Sequence, residues 1–400
     1  MLLSQSGSCM GDTNLKNMYD IIIVGAGPAG LNAGVHLAGT GKSLLLIDKM
    51  IPWELPIPCA EGVGRLGFHE AHKNVRQSWI RQNITSACYH SPDGSMINYT
   101  DKFGGYIINR TVMQRDMADE IRASGGDLLF NVKVTGISKE HDNLRTVSLS
   151  NGLSIDAKVV IDASGPIGGF GKGEKIIGKP TDLEPAYFVW AEKVNVALDR
   201  IHIYTCSHYA PGGYVWVFPR ENHSANIGIV IGKKYLGSVN LRVLLDEFLE
   251  KNFHGVEIKK RFAGSIPCHV RKDSFAVKGL IKTGDSASTV NPISRAGISE
   301  ALLCGKLAAR CAQRMVDAHH SWDVSRAIRE YESQWEKMRG KRHSKLARVK
   351  GSLFAVPDRD YDAAAHLLSS VPQDQLTMSK IFRASLGRFP RLVWAMRHLM

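Results

Sequence analysis

Residues 19–30 read Tyr-Asp-Ile-Ile-Ile-Val-Gly-Ala-Gly-Pro-Ala-Gly, and residues 43–48 read Ser-Leu-Leu-Leu-Ile-Asp. The short β-branched run before the first glycine is typical of a strand that is buried on both faces. Gly25, Gly27 and Gly30 have the spacing G-x-G-x-x-G. In this motif the first glycine permits a tight turn, the second lets the backbone approach a pyrophosphate, and the third lets a helix pack closely on the strand. The stretch therefore predicts a strand, a turn, a helix and a second strand.

The helix that follows the glycine turn is predicted from about Pro28 to Ala38. Its N-terminus would point free N–H groups and the positive end of the helix dipole at bound phosphates. Asp48 ends the second strand, at the spacing where a carboxylate accepts a hydrogen bond from a ribose hydroxyl. Because strand, helix, second strand and acid follow in this order, the pattern favours dinucleotide binding over a merely tight turn.

The composition is that of an ordinary globular chain with a large core. Its 400 residues are 44% hydrophobic and 22% charged, which is enough for two domains. No run approaches the ~18 apolar residues of a membrane span. The net charge of +13 favours an anionic partner: nucleic acid, an acidic membrane surface or a phosphorylated substrate.

The seven cysteines are scattered along the chain and odd in number. None has the C-x-x-C or Cys/His spacing of a zinc site, so we expect no metal, free thiols and a cytoplasmic location. Residues 1–18 lack the basic start and the long apolar core of a signal peptide. They are therefore predicted to form a flexible leader.

Residues 49–64 hold three prolines followed by glycines, which predicts a loop with fixed bends. This loop follows the second strand, at the carboxyl edge where open α/β sheets bind ligands. Cys59 lies in the middle of the loop. Its spacing alone favours a half-buried structural cysteine over a reactive one.

Alternating residues between 184 and 231 predict an antiparallel sheet. Tyr214, Trp216 and Phe218 recur at period two and therefore share one face of a strand, and residues 226–232 are its predicted neighbour. The aromatic face has two open interpretations. It is the floor of an apolar cavity, or it is an ordinary sheet face packed on helices.

Three further patterns predict local structure between these motifs. Short strands are predicted in residues 84–108, around a Pro-Asp-Gly turn. Thr111 is predicted to cap a helix that ends at Gly125. Residues 127–137 are predicted to form one strand.

A second position for a cofactor is predicted near residue 285. Residues 279–288 are typical of a strand, a Gly-Asp turn and a run of small residues, and a long alanine-rich helix is predicted over 298–316. A helix N-terminus preceded by a glycine and an acid is what the ribityl chain and ring of a flavin require.

Residues 376–400 have apolar residues near helical spacing, basic residues between them and no acid. A glycine and a proline divide the stretch into two short predicted helices. One interpretation is a terminal helix docked on the body of the protein. The other is an amphipathic anchor on anionic lipid, where each basic residue near the surface contributes ~1 kcal/mol.

Four of these segments occur together, in this order, in one family. They are the glycine motif, residues 58–63 (Pro-Cys-Ala-Glu-Gly-Val), residues 214–228 (Tyr-x-Trp-x-Phe-Pro, then Asn-x-Gly) and residues 284–298 (Gly-Asp, then Pro, then Gly-Ile). On these motifs the chain, from residue 19 to about 346, resembles the geranylgeranyl reductases. The resemblance is strongest to the archaeal digeranylgeranylglycerophospholipid reductases, in the hydroxylase-like flavoprotein superfamily.

The resemblance implies an α/β fold. A Rossmann-like FAD-binding domain of the p-hydroxybenzoate hydroxylase type would carry an inserted antiparallel-sheet substrate domain and a helical C-terminal region. The implied boundaries are 19–83, 105–175 and 270–318 for the FAD-binding domain, 84–104 and 176–269 for the substrate domain, and 319–400 for the helical region.

The resemblance also implies roles for single residues. Cys59 would lie over the flavin ring, so the resemblance favours a functional cysteine where spacing alone favoured a structural one. The implied catalytic residues are Cys59, Tyr214 and Trp216. Tyr214, Trp216 and Phe218 would line the substrate cavity. The implied FAD-binding residues are Gly25, Ala26, Gly27, Pro28, Ala29, Gly30, Asp48, Lys49, Cys59, Ala60, Arg110, Val134, Ala163, Gly165, Gly284, Asp285, Pro292, Gly297 and Ile298.

The chain departs from the family pattern before its second helix N-terminus. Asn291 stands where the family has an acid, and residues 294–296 (Ser-Arg-Ala) replace a glycine run. Arg295 would bring a positive, bulky group to the N1–C2 edge of the flavin. That group would either stabilise the anionic reduced flavin or narrow the pocket.

The implied activity is FAD-dependent saturation of carbon–carbon double bonds in the geranylgeranyl chain of a lipid, with a proton from Cys59, Tyr214 or a held water. The implied electron donor is NAD(P)H or a small carrier such as ferredoxin, and a lipid substrate fits peripheral contact with an anionic membrane. One rival is a flavin monooxygenase or halogenase of the same fold. The other is a basic membrane- or nucleic-acid-binding protein with a non-catalytic flavin site. The absence of a basic stripe with interleaved aromatic residues outside residues 376–400 disfavours nucleic acid.

Overall fold

The computed structural model describes residues 15–72, 74–270 and 272–369, with the backbone alone at 101–103. Two eight-stranded sheets form its framework. The predicted anchor at 376–400 and most of the predicted leader lie outside the described residues. At the end of the predicted leader, Leu15 packs against the main core and Met18 begins the first strand.

The described residues form sixteen strands and eight α-helices, numbered in chain order. The strands are β1 (Met18–Val24), β2 (Leu44–Ile47), β3 (Gly62–Gly64), β4 (Ile80–His90), β5 (Met96–Ile108), β6 (Asp127–Leu129), β7 (Val134–Ile137), β8 (Arg145–Leu149), β9 (Ser154–Asp162), β10 (Leu183–Glu192), β11 (Arg200–Tyr204), β12 (Tyr214–Arg220), β13 (Ser224–Val230), β14 (Glu257–Pro267), β15 (Ala276–Val277) and β16 (Leu280–Lys282). The helices are α1 (Pro28–Leu37), α2 (Arg65–Ala71), α3 (Arg110–Ala123), α4 (Leu241–Asn252), α5 (Ile298–Val316), α6 (Ser321–Trp335), α7 (Lys341–Leu353) and α8 (Asp358–Ser369).

The first sheet runs in the order β15-β16-β9-β1-β2-β6, with β8 beside β9 and β7 beside β8. β1 pairs in parallel with β2 and β9, and β16 pairs in parallel with β9. Ile21, Ile22 and Ile23 are fully buried, which confirms the predicted burial of this strand on both faces. α1 and α5 pack so closely that a side chain at Gly305 would overlap the Ala29 carbonyl. Because these strands are parallel, the loops that follow them meet at the carboxyl edge of the sheet.

The second sheet runs in the order β14-β10-β13-β12-β11-β4-β5-β3, and β13 pairs with β12 as predicted. Val215 and Val217 of β12 pack in a core with α4, whereas Trp216 points to the opposite face. The predicted domain boundaries at 84 and 104 fall inside β4 and β5, which belong to this sheet over their whole length. On the face opposite α4 lies an aromatic cluster, formed by Phe188, Trp190, Tyr214, Trp216, Phe218 and Phe262.

Two of the local predictions are wrong. Residues 127–137 form two strands rather than one, because β6 pairs with β2 whereas β7 pairs with β8. Asn131, with a left-handed φ of 61°, lies between them. The helix predicted to be capped by Thr111 is α3, and its cap is the side chain of Asn109, which accepts from the N–H of Val112. Asn is at least as effective a cap as Thr, and it stands nearer the end of β5.

The C-terminal part of the described chain is helical, as predicted. Tyr331 and Trp335 of α6 are buried against the core of the first sheet, so this region packs on the body of the protein. Among the helices within residues 15–369 that the structure describes, none combines the length and the apolar character needed to cross a bilayer.

Candidate active site

The turn between β1 and α1 has the geometry of a phosphate cradle. Gly25 has a left-handed φ of 107°, and a side chain there would overlap the Ala163 carbonyl. A side chain at Gly30 would overlap the Gly25 carbonyl, whereas a Cβ at Gly27 meets no protein atom within 4 Å. α1 has no side-chain cap and no acid in its first turn. Its first N–H groups are therefore free to bind an anion in front of Gly27.

Two glycine substitutions in this turn are expected to behave differently. Gly30→Ala places a methyl group on the Gly25 carbonyl, so this protein should lose stability as well as FAD. Gly27→Ala enters only the space where a pyrophosphate would lie, so it should fold normally and bind FAD about tenfold more weakly. Urea unfolding of the apoproteins and fluorescence titration with FAD measure the two effects.

Gly64→Ala is the matched control for this pair, because a Cβ there also meets no protein atom and its φ of −75° suits alanine. It should change neither stability nor FAD affinity. A Gly27→Ala protein that binds FAD as tightly as this control would show that the pyrophosphate does not lie at Gly27.

Asp48 lies directly after β2 and holds the glycine turn in place. Its Oδ2 accepts a 2.6 Å hydrogen bond from the N–H of Ala26, and its Oδ1 accepts one from the N–H of Met50 at 3.1 Å. Burial raises the pKa of Asp48, whereas these N–H donors lower it. A carboxylate has about four acceptor positions, so the group retains capacity for ribose hydroxyls.

The N-terminus of α5 lies beside that of α1. Gly284 has a left-handed φ of 64°, and a Cβ there would lie 2.8 Å from the Ala29 side chain. Gly297 directly precedes α5, and a Cβ on it would lie 3.8 Å from Asp285 Oδ1. The turn at Gly284 and Asp285 therefore lies next to the N-termini of both α1 and α5.

Arg110 is linked to the glycine turn through a side chain that sequence reasoning missed. Its Nε and Nη2 donate to Gln114 Oε1 at 3.1 and 2.8 Å, and Gln114 Nε2 donates to the Ala26 carbonyl at 3.0 Å. The signal for Gln114 was its position four residues after Arg110, on the same face of a helix. The positive charge of Arg110 also lowers the pKa of Asp285, against the effect of burial.

FAD binding is expected to strengthen as the pH rises from about 5 to about 7. Burial raises the pKa of Asp285 to about 6, so its carboxyl is mostly protonated at the lower pH and mostly ionised at the higher. The ionised form accepts stronger hydrogen bonds from ribityl hydroxyls, which predicts about tenfold tighter binding. Fluorescence titration of the apoprotein across this range measures the effect.

Asp285→Asn should make the pH profile flat, because the amide does not titrate. Asp119→Asn, on the exposed face of α3, should leave the profile of the wild type unchanged. If the wild-type profile is already flat, Asp285 does not accept from the bound cofactor.

The loop of residues 49–64, here named the Cys59 loop, lies between the two sheets. The Cys59 side chain packs against the core of the first sheet, and Ala60 packs against the aromatic cluster. The Cys59 carbonyl accepts a 2.8 Å hydrogen bond from Asn226 Nδ2, and Asn226 Oδ1 accepts one from Trp216 Nε1, also at 2.8 Å. A single buried amide therefore fixes both the loop and the indole ring.

Glu61 is a buried carboxylate in the same loop, only 3% exposed. Its Oε1 accepts from the N–H of Arg110 at 3.2 Å, and its Oε2 lies 3.7 Å from both Arg81 Nε and Arg220 Nη2. Burial raises the pKa of Glu61, and Arg220, Arg81 and Arg110 oppose that rise. Glu61 thus ties the Cys59 loop to α3 and to the second sheet, a role that the sequence did not indicate.

The aromatic cluster is closely packed at its centre and accessible at its rim. Phe188 and Phe262 stack with ring centroids 4.7 Å apart, and Trp216 is 5% exposed. Tyr214 and Phe218 are partly exposed. The Tyr214 hydroxyl donates to the Ser294 carbonyl at 2.5 Å, and burial raises the pKa of Tyr214 to about 12.

Known proteins are similar in sequence to this chain over nearly its whole length. Residues 182–265 match the family model of the geranylgeranyl reductase catalytic domain, and residues 20–177 match that of lycopene cyclase protein. The digeranylgeranylglycerophospholipid reductase of Methanosarcina mazei is 30% identical over 398 residues, which cover 96% of this chain and 97% of that protein. This chain belongs to the digeranylgeranylglycerophospholipid reductase family. The resemblance seen in the four sequence motifs is thereby confirmed.

Solved structures support the same family and fold. A geranylgeranyl bacteriochlorophyll reductase-like protein from Thermoplasma acidophilum has a TM-score of 0.85 at 25% identity and covers 96% of this chain and 99% of its own. The flavin-dependent brominase Bmp2 has a TM-score of 0.66 at 17% identity, over 94% of this chain and 100% of its own, and shows the fold alone. The predicted α/β flavoprotein fold is confirmed.

FAD is the cofactor of this flavoprotein family, and the residues present fit it. Several of the implied residues lie at the carboxyl edge of the first sheet, where the glycine turn follows β1 and Asp48 follows β2. Ala163 and Gly165 follow β9, and the Ala163 N–H donates to the Val24 carbonyl at 2.9 Å. Four implied residues remain. Val134 is buried at the start of β7, and Lys49 is exposed beside Asp48. Pro292 is buried before α5, and Ile298 is the first residue of α5.

Arg295, where the chain departs from the usual reductase pattern, is bound to the second sheet. Its Nε donates to Glu184 Oε2 at 2.8 Å, its Nη2 donates to the Gly212 carbonyl at 2.9 Å, and its guanidinium lies 5.0 Å from the Tyr214 ring centroid. Arg295 and Glu184 are both buried. The guanidinium of Arg295, expected at the flavin edge, is therefore paired with the Glu184 carboxylate and also contacts the Tyr214 ring.

Proposed function

We propose that the protein is an FAD-dependent oxidoreductase that saturates carbon–carbon double bonds in the geranylgeranyl chains of a lipid. The observation that carries the proposal is the Asn226 bridge, which joins Cys59, packed against the core of the first sheet, to Trp216 in the aromatic cluster. This bridge supports a site where a flavin ring and an apolar chain meet. The relatives named as digeranylgeranylglycerophospholipid reductases support the same substrate class.

The chemistry of an isolated alkene sets what the protein must do. No carbonyl polarises the double bond, so one carbon must take a hydride and the other a proton. Reduced FAD supplies hydride when it is bound. The Tyr214 ring, at the accessible rim of the cluster, would stabilise the developing positive charge on carbon by about 0.5–2 kcal/mol. Trp216 is 5% exposed and would hold the Tyr214 ring in place. The apolar cluster would also exclude water, and each buried CH₂ of the chain adds about 0.8 kcal/mol to binding.

The proton is assigned to Cys59 within this proposal. The Tyr214 hydroxyl already donates to the Ser294 carbonyl, and its raised pKa of about 12 makes it a poor acid. Cys59 Sγ accepts a hydrogen bond from the N–H of Glu61 at 3.2 Å, so the sulfur is oriented while its S–H remains available. Tyr214 is therefore proposed to line the substrate, and Cys59 to donate the proton.

The proposed reductant and the proposed membrane contact follow from other parts of the chain. A second G-x-G-x-x-G spacing, at Gly62, Gly64 and Gly67, lies on the short antiparallel strand β3 and the seven-residue helix α2, so it lacks the parallel strand–helix–strand context of a nucleotide-binding motif. Electrons would therefore come from NAD(P)H docked without its own domain or from a small carrier such as ferredoxin. Lys341, Lys345 and Arg348 are exposed on one face of α7, which supports contact with an anionic membrane surface. Anaerobic flavin reduction by each donor, and sedimentation with anionic or neutral vesicles, test these two proposals.

The decisive experiment gives the dithionite-reduced enzyme a geranylgeranyl glycerophospholipid under argon. Mass spectrometry counts the hydrogens added to the lipid, and flavin absorbance follows reoxidation. The proposal requires paired addition of hydrogens without oxygen. An unchanged lipid, together with oxygen-dependent hydroxylation or halogenation of a phenol or indole, would establish the monooxygenase or halogenase alternative instead.

A further inference from the structure

A thiol and two imidazoles meet on the second sheet, away from the candidate active site. β4 and β11 pair in parallel with Cys88 opposite His202, and His90 lies two residues further along β4 on the same face. His90 Nε2 lies 3.0 Å from His202 Nδ1, and ligand atoms of the three residues all lie within 4.8 Å of one another. Cys88 is buried, and the two histidines are half-buried.

This cluster lies on the face of the sheet that packs against α4. Tyr204, two residues after His202, makes an edge-on ring contact with Phe248 of α4. Ile203, between them, points the other way and packs against the aromatic cluster. The cluster is thus separated from the proposed substrate face by the thickness of the sheet, and the proposed reaction does not use it.

We propose that Cys88, His90 and His202 bind one zinc ion, with a water molecule as its fourth ligand. Thiolate and imidazole are the ligands that zinc prefers, and three protein ligands leave one tetrahedral position for water. Nitrogen ligands about 2.0–2.1 Å from a tetrahedral zinc lie about 3.3 Å apart. The observed 3.0 Å between the two imidazole nitrogens is close to that separation, so these rings need to shift by only a few tenths of an ångström. The Cys88 sulfur lies within 4.8 Å of both nitrogens and would move toward them by up to about 1 Å.

Both imidazoles are half-buried, and ring stacking holds His90 in a fixed orientation. Burial, together with the neighbouring His202, lowers the pKa of His90 to about 4, and burial together with Arg200 lowers the pKa of His202. The His90 ring stacks on Tyr204 with centroids 3.9 Å apart, which fixes its orientation toward His202.

The thiol and its surroundings set how tightly the ion would bind. Zinc binds the thiolate form of cysteine, so it would displace the thiol proton of Cys88 on binding. Arg200 donates to Ser86 Oγ at 3.1 Å and to Asn98 Oδ1 at 3.3 Å, which holds its positive charge near the cluster. Repulsion by this charge weakens the site, whereas the rigid pairing of β4 with β11 favours it.

The spacing of cysteine and histidine in the sequence had predicted no metal. His90 and His202 are separated by 112 residues, and only the pairing of β4 with β11 brings them together. Zinc at this position would clamp the two strands and raise the melting temperature of the protein, because it binds the folded state and not the separated strands.

Titration of the chelator-treated, FAD-loaded protein with Co²⁺ tests the proposal, since cobalt reports thiolate ligation by its charge-transfer absorption. We expect about one equivalent to bind with that band, zinc to displace it, and zinc to raise the melting temperature. Cys88→Ser should lose the band, and His202→Gln should lose saturable binding. Cys206→Ser and His208→Gln, which lie outside the cluster, are the matched controls and should behave as the wild type.

Retained flavin absorbance shows that each variant is folded, and if Cys88→Ser fails this check, His90→Gln takes its place with loss of saturable cobalt binding expected. The absence of saturable cobalt binding in the wild type would leave only a hydrogen-bonded histidine pair and overturn the proposal. So would a charge-transfer band that persists in folded Cys88→Ser or disappears in Cys206→Ser.

Discussion

Cys59→Ala is expected to slow double-bond reduction by about 10²–10⁴-fold while FAD remains bound, because a positioned general acid contributes that much. The substitution removes only the thiol. The Cys59 carbonyl keeps its hydrogen bond from Asn226, so the Cys59 loop and Trp216 should stay in place. The glycine turn and Asp48 are held by contacts that do not include the sulfur. Loss of rate without loss of flavin therefore separates proton donation from a structural role.

Oxidation of the dithionite-reduced enzyme by a geranylgeranyl lipid, followed in a single turnover under argon, measures this step directly. Cys206→Ala is the control, since Cys206 is a half-buried thiol outside the site. Cys59→Ser keeps a hydroxyl donor of higher pKa and should fall between the wild type and Cys59→Ala. Equal rates for Cys59→Ala and the Cys206 control would mean that a held water donates the proton and that Cys59 has only a packing role.

The parts of the site that sequence reasoning found are those in which one short segment carries the whole requirement. The turn at Gly25–Gly30 needs a left-handed φ and close backbone contacts, which only glycine allows, and these demands are visible in twelve consecutive letters. Asp48 could be predicted in the same way, because it stands directly after its strand. The parallel pairing of β1, β9 and β16 then brings the predicted segments to one edge.

The parts that it missed depend on contacts between distant segments. Asn226 matters because it reaches both Trp216 and the Cys59 carbonyl, which lies 167 residues away in the chain. Glu61 matters because Arg81 and Arg220 converge on it from two strands. Both residues belong to the motifs that carry the family resemblance, but no local pattern indicates the distant partners that give them these roles. The direction of the Arg295 side chain was missed for the same reason, since its partner is on β10.

The buried ion pair of Arg295 with Glu184 is expected to make Arg295→Met one of the most destabilising substitutions in the chain, at about 3–5 kcal/mol. Glu184 is 1% exposed and Arg295 is 7% exposed, so removal of the guanidinium leaves a carboxylate with little access to water. Lys350 Nζ lies 2.6 Å from Glu184 Oε1 and retains part of the compensation. The exposed pair of Arg122 and Asp119 provides the comparison: Arg122→Met should cost at most about 1 kcal/mol.

A double-substitution cycle separates the charge from the packing. Glu184→Met together with Arg295→Met removes both charges and leaves Lys350 paired with Asp182 at 2.9 Å, so the double variant should be less destabilised than the sum of the singles by about 1–3 kcal/mol. Urea unfolding at a fixed excess of FAD measures all four proteins. Strict additivity would mean that Arg295 acts through its stacking over Tyr214 and Phe354 rather than through Glu184. In that case aromatic stacking would link the 291–297 turn to the second sheet, and Tyr214→Leu should reproduce most of the loss of stability.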